Sequence, residues 1–125
     1  MRQFEIKVDN KVGKLAEVCE IIARANVNIK AISTEDKDGF GIIKLITENE
    51  NLTRETLNVA QLNYKEFEII SARLRDKPGE LAKVSRALTN IGVDIQSVFI
   101  LGKDKGTTEL AFKVSDLKKA REILR

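Results

Sequence analysis

The chain has 125 residues, 42% of them hydrophobic and 33% charged, with 22 Lys or Arg against 19 Asp or Glu and a net charge of +3. That balance describes an ordinary globular protein and excludes a disordered one, and the length alone suggests one domain. There is no His and only one Cys, so His-dependent nucleophile systems, the common His-containing zinc sites and an internal disulfide are all excluded. No apolar run approaches the roughly 20 residues needed to span a bilayer. Met1 to Glu5 lacks the core of a signal peptide. The expectation is a cytoplasmic protein with no membrane partner, no cofactor and no metal.

The elements follow in chain order. Phe4, Ile6 and Val8 alternate with polar residues, the pattern of a half-buried strand. Asp9 to Gly13 is a loop. Leu15, Val18, Cys19 and Ile22 then recur at the spacing of a helix's apolar stripe, where Cys19 reads as a buried structural thiol. Asn26 ends that helix. Ile29 to Thr34 is a second strand, Asp38-Gly39 a turn, Gly41 to Thr47 a third strand, and Leu52 to Leu62 a weaker helix. Tyr64 to Leu74 is long for one strand and is expected to serve two sheets in succession. Asp76 to Gly79 is a second loop, and Leu81, Val84 and Leu88 mark a second helix with Gly92 as its cap. Ile95 to Leu101, a turn over Lys103 to Gly106, and Thr108 to Val114 make a hairpin. Ser115 or Asp116 caps a last helix with Leu117, Ala120 and Leu124 on one face. Its basic residues Lys118, Lys119, Arg121 and Arg125 complement the helix dipole.

The two halves are copies. A shift of 66 positions pairs Lys11 with Lys77, Gly13 with Gly79, Leu15 with Leu81, Ala16 with Ala82, Val18 with Val84, Val27 with Val93 and Ile29 with Ile95. Those are 7 identities over the 19 pairs from Lys11 to Ile29, where chance gives about one or two. Helical periodicity accounts for the shared Leu and Val, not for the paired glycines. Each half reads β-α-β-β-α, the ferredoxin-like order, so the fold class is α+β, with modules at 1–67 and 68–125. The second module is expected to lack its closing strand. Modules this small are marginal alone, so they are expected to pack on each other, and an exposed edge favours a homodimer.

Both helix-entry loops put a glycine between a strand and a helix, where free N–H groups attract an anion such as a carboxylate. Asn10 lies three residues before Gly13, and Asn28 opens the following strand. A βαβ unit is expected to bring these two amides together, suiting the ammonium and carboxylate of an amino acid. The alternative is that Asn10 caps the helix and Asn28 shapes a turn.

The runs Asp9-Asn10-Lys11-Val12-Gly13-Lys14-Leu15-Ala16-Glu17-Val18 with Asn26-Val27-Asn28-Ile29, and Asp76-Lys77-Pro78-Gly79-Glu80-Leu81-Ala82-Lys83-Val84 with Gly92-Val93-Asp94-Ile95, resemble the ACT domain signature. Asp38-Gly39-Phe40-Gly41-Ile42-Ile43-Lys44-Leu45 is similar to the strand that follows it in tandem ACT proteins. The resemblance implies ferredoxin-like βαββαβ modules that pair their sheets side by side. It also implies regulatory ligands, most often amino acids, bound between ACT units. It assigns ligand contacts to Asn10, Val12, Gly13, Lys14, Leu15, Asn28 and Ile29, and a possible second site to Asp76, Pro78, Gly79, Glu80, Leu81 and Asp94. Val12 departs from the usual Pro. Asp76 and Asp94 replace the usual Asn, and two carboxylates repel a ligand carboxylate, so the first copy is expected to be the ligand site.

Other readings fare worse. The βαββαβ order also builds an RNA-binding module, but Ile42 and Lys7 stand where that module stacks aromatic rings, and only 5% of residues are aromatic. No nucleic-acid partner is expected. Glu35 to Gly39 resembles part of a calcium loop, yet with Gly39 at the sixth position Leu45 falls where a bidentate Glu is required. No phosphate loop occurs, and the carboxylates pair only as helix-surface neighbours such as Glu17 and Glu20. The expectation is a non-catalytic, amino-acid-sensing regulatory protein. The alternative is a ligand-free dimerisation or regulatory subunit of an amino-acid biosynthetic enzyme.

Overall fold

The computed structural model describes residues 1–124, so Arg125 of the basic C-terminal group lies outside the described residues. The chain forms two compact units, one of Arg2–Phe67 and one from Glu68 onward together with Met1. The first module contains β1 (Arg2–Asp9), α1 (Lys14–Arg24), β2 (Ile29–Lys37), β3 (Phe40–Thr47), α2 (Glu50–Val59) and β4 (Asn63–Glu68). The second contains β5 (Ile70–Arg75), α3 (Glu80–Asn90), β6 (Ile95–Asp104), β7 (Thr107–Val114) and α4 (Leu117–Ala120). This is the α+β arrangement of two ferredoxin-like modules that the repeat and the alternation predict. The long segment after α2 divides at Ile69, and its halves join different sheets.

The first sheet has the order β2-β3-β1-β4, with β3 antiparallel to both β1 and β2. The second has three strands in the order β5-β7-β6. Two elements run longer than their apolar pattern. β2 continues through Glu35, Asp36 and Lys37, and β6 continues through Lys103 and Asp104. The reason is the tight turn beyond each. Asp38 and Gly39 both have positive φ (52° and 81°), as do Lys105 and Gly106 (47° and 78°). A two-residue turn of this hand carries ladder pairing to its edge, and ladder bonds need no apolar side chain.

Helix ends follow one local rule. Asn26, Gln61 and Gly92 adopt left-handed φ just beyond α1, α2 and α3. The next residue then donates back into the last turn: Val27 N–H to Ile22 O at 3.3 Å, Leu62 to Leu57 at 3.1 Å, Val93 to Leu88 at 2.9 Å. This is the Schellman closure. It explains why α2 stops at Val59 and not at Leu62. α2 also starts earlier than its apolar stripe, because Asn49 Oδ1 accepts from Leu52 N–H at 3.0 Å. At α4, Asp116 is the cap and not Ser115, whose Oγ instead accepts from Asp94 N–H at 2.8 Å.

The same donor–acceptor pairs of the Schellman closure are core residues. Phe4, Ile6, Ile43 and Leu45 of the first sheet bury against Val18 and Ile22 of α1, Leu57 of α2, and Val27. Ala72, Leu110, Phe112 and Val114 of the second sheet bury with Leu88, Val93, Ala120 and Leu124. Arg54 of α2 forks onto Glu66 of β4, donating from Nε at 2.8 Å and also from Nη2, and Arg2 Nε approaches the same carboxylate at 2.7 Å. These bonds from Arg54, with its positive charge, hold the Glu66 carboxyl below the usual range. Two residues of the expected α1 stripe depart from it. Leu15 is exposed and Cys19 is only half-buried.

Candidate ligand-binding site

The loop between β1 and α1 is a tight crank. Lys11 N–H donates to Asp9 O at 2.9 Å, and Lys14 N–H to Lys11 O at 3.3 Å. Gly13 then enters the helix at φ 92°. The second module repeats the crank: Lys77 N–H to Arg75 O at 2.9 Å, Glu80 N–H to Lys77 O at 3.5 Å, and Gly79 at φ 90°. The paired glycines therefore share a backbone task. Neither helix receives a side-chain cap, so Asn10 does not cap α1, and the N–H groups of Leu15 and Ala16 have no side-chain acceptor.

A cleft of about 250 Å³ opens beside this entry. Its walls are Val8 to Lys11, Lys14 and Leu15 on one side and Thr34, Glu35 and Asp36 of β2 on the other, over Gly41, Ile42 and Ile43. Of the residues expected to bind, Asn10, Lys14 and Leu15 line it. Val12 and Gly13 do not; Val12 projects fully into solvent. Lys14 Nζ is paired to Glu17 Oε2 at 3.2 Å.

Asn28 and Ile29 are elsewhere, which corrects the expected convergence of the two amides. Asp9 and Lys37 share a register row through Phe40, whereas Ile29 pairs with Thr47. β1 and β2 run parallel on either side of β3, so the end of one lies far from the start of the other. Seven residues of strand separate the rows, about 23 Å. Asn28 is exposed at the opposite end of the sheet, where its carbonyl accepts from Glu48 N–H at 3.0 Å.

The second module has a related cleft of about 410 Å³ with a more apolar floor of Leu74, Leu81, Val98, Ile100 and Leu110. Asp76 and Glu80 line it, while Pro78, Gly79 and Asp94 do not. Register makes the comparison specific. Asp36, Gly41 and Val8 form one row of the first sheet, and Lys103, Thr108 and Leu74 form the matching row of the second. Thus Lys103 stands where the first module has Asp36, and Thr108 where it has Gly41. Lys103 Nζ reaches Asp76 Oδ1 at 3.3 Å, so the Asp76 charge is offset internally. Asp94 lies at the far end beside Ser115, so the expected joint repulsion by Asp76 and Asp94 does not arise within one module.

Sequence reasoning missed Thr34, Asp36 and Gly41. Only a glycine inside an apolar strand run hinted at the floor, since such glycines mark close approach or a missing side chain.

Comparison with known proteins places this geometry. The family model described as an ACT domain pair matches residues 1–125. An aspartokinase of Corynebacterium glutamicum is 32% identical over 108 residues, covering 82% of this chain and 26% of that protein. The chain thus spans about a quarter of that relative's length. A Bacteroides thetaiotaomicron protein of known structure superposes with a TM-score of 0.88 at 25% identity, covering 98% of this chain and 84% of that one. The ligand-free regulatory subunit of aspartate kinase from Thermus thermophilus shares the fold, with a TM-score of 0.68 at 13% identity over 98% of this chain and 89% of that one. The two glycine-entered βαββα repeats and the full-length family match agree: the chain belongs to the ACT domain pair family.

Proposed function

We propose that this chain is a cytoplasmic, non-catalytic regulatory protein that binds an amino acid at the α1 entry of its first module. The observation that carries this is the cleft beside α1, where Asn10, an uncapped helix start and both signs of charge converge. A ligand carboxylate suits the uncapped N–H groups of the helix start. Likeness to an aspartokinase and to an aspartate kinase regulatory subunit supports a place in the control of amino-acid metabolism.

One molecule of the chain cannot bring Asn10 and Asn28 of the same module to one ligand across about 23 Å. A homodimer can. β2 is an edge strand, and antiparallel pairing of two β2 edges sets the start of one strand beside the end of the other. Asn28 of a second copy then lies at the same end of the joined sheet as Asn10. An amino acid held there favours the paired state only as far as its affinities for the two states differ.

The second reading is a ligand-free dimerisation or regulatory subunit of an amino-acid biosynthetic enzyme. The exposed apolar side chains of Val98 and Ile100 on edge strand β6, with Leu81 of α3 lining the same cleft, favour it. A thermal-shift screen against the standard amino acids separates the two: the first reading expects stabilisation by one or a few, the second a flat screen with a co-purifying enzyme. Calorimetry then tests the site. Asn10→Ala abolishes binding and Asp76→Ala does not; the reverse result overturns the assignment to the first module.

A further inference from the structure

Resting on that reading, we infer that Asp36 of β2 is the specificity residue for the ligand's α-ammonium group, so that the first module selects zwitterions over carboxylic acids lacking the amine. Three carboxylates line the cleft: Asp9, Glu35 and Asp36. Register separates them. Asp36 shares its row with Gly41 and Val8, and Val8 packs with the core under the helices. Asp36 therefore stands on the face that carries α1. Asp9 and Glu35 occupy the alternate positions, which point to the sheet's other face, and Glu35 Oε1 is drawn to Lys44 Nζ at 3.4 Å. The Asp36 side chain has no hydrogen bond or ion pair among the described residues.

Between Asp36 and the wall formed by Val8 lies Gly41, and that choice of residue keeps the floor open. A Cβ at Gly41 would sit 3.1 Å from Val8 Cγ2. The second module supplies the contrast. There Thr108 fills the floor position, and Lys103 at the Asp36 position is tied to Asp76 at 3.3 Å. The same backbone thus presents an unpaired anion beside a glycine in one copy, and an internal ion pair beside a threonine in the other. An ammonium group is the cation that an amino acid brings to Asp36 while its carboxylate lies toward the α1 start.

Titration calorimetry on the full chain tests this, using each standard L-amino acid and the matching carboxylic acid without the amine. Loss of a charge-assisted hydrogen bond predicts that Asp36→Asn weakens amino-acid binding about tenfold to a hundredfold. Binding of the amine-free acid is not weakened by the same substitution, which removes a like charge beside it. Asp36 is exposed, so the melting temperature of the free variant stays at the wild-type value. Gly41→Ala, which closes the floor, weakens both ligand classes. Undiminished amino-acid binding in Asp36→Asn, or equal weakening of both ligand classes by it, overturns this inference and leaves the proposed function standing. Failure of the wild-type chain to bind any amino acid overturns both.

Discussion

Replacing Gly13 by alanine separates a backbone role from a ligand role at the residue that first revealed the repeat. Gly13 has φ 92° and ψ −5°, and Gly79 has φ 90° and ψ −11°. A Cβ built at either meets nothing within 4 Å. Sterics beyond the residue itself therefore drop out, and only the cost of a left-handed L-residue remains, about 1–2 kcal/mol. Alanine's smaller unfolded-state entropy offsets part of this. Gly102 is the internal control: it too has open space around its Cβ, but without a left-handed φ. Urea unfolding followed by circular dichroism is expected to show Gly13→Ala and Gly79→Ala lowering the midpoint at constant slope. Gly102→Ala leaves it unchanged or raises it. Were Gly13→Ala as harmless as Gly102→Ala in the ligand-free chain, the conformational account would be refuted, and close approach of a ligand would be left to explain the glycine.

Three further outcomes follow from the first module. Leu57 is fully buried between α2 and the sheet, so Leu57→Ala costs about 2–5 kcal/mol in urea unfolding, depending on how far the cavity collapses. Thr47 Oγ1 and Thr53 Oγ1 meet at 2.6 Å in the interior, with Thr53 donating to Asn49 O at 2.7 Å; Thr53→Val removes both bonds, leaves the Thr47 hydroxyl only its longer bond to Asn49 O at 3.3 Å, and costs about 1–3 kcal/mol by the same assay. Glu66 is held below the usual carboxylate range in the folded chain, chiefly by its hydrogen bonds from Arg54. Its contribution is therefore present above the unfolded carboxylate pKa and is lost as pH falls through the lower folded value. Thermal melts across the acid range should show that limb, and Glu66→Gln should flatten it.

Much of the fold was legible because it is written in side-chain type. The alternation of Phe4, Ile6 and Val8, the stripe through Val18 and Ile22, and the stops at Asn26 and Gly92 all reappear as strands, helix faces and Schellman ends. What escaped is what backbone pairing decides. Glu35, Asp36 and Lys37 carry no apolar signal, yet they extend β2 because the turn at Asp38-Gly39 brings Lys37 opposite Phe40. Leu15 obeys helical spacing but projects over a cleft, since periodicity places a residue on a face and does not say whether anything covers that face. The Asn10–Asn28 pairing failed for a topological reason. A crossover helix returns the chain to the starting end of the sheet, so residues joined by α1 end up a strand length apart.

Within one shared topology the two modules are unequal copies. Duplication preserved the crank, because Gly13 and Gly79 must each enter a helix at nearly the same φ. It did not preserve the row beside the crank, where nothing in folding demands a particular charge. In the second module, Asp76, Lys103 and Thr108 satisfy one another or fill space. In the first, Asn10, Asp36 and Gly41 leave polar groups and room. An exposed ion pair such as Asp76–Lys103 contributes little to stability, so the difference between the copies is hard to explain as a stability device. The inferred role of Asp36 accounts for it: in the first row the Asp36 carboxylate is left for a ligand's cation, and in the second Lys103 and Asp76 supply both charges from the chain itself.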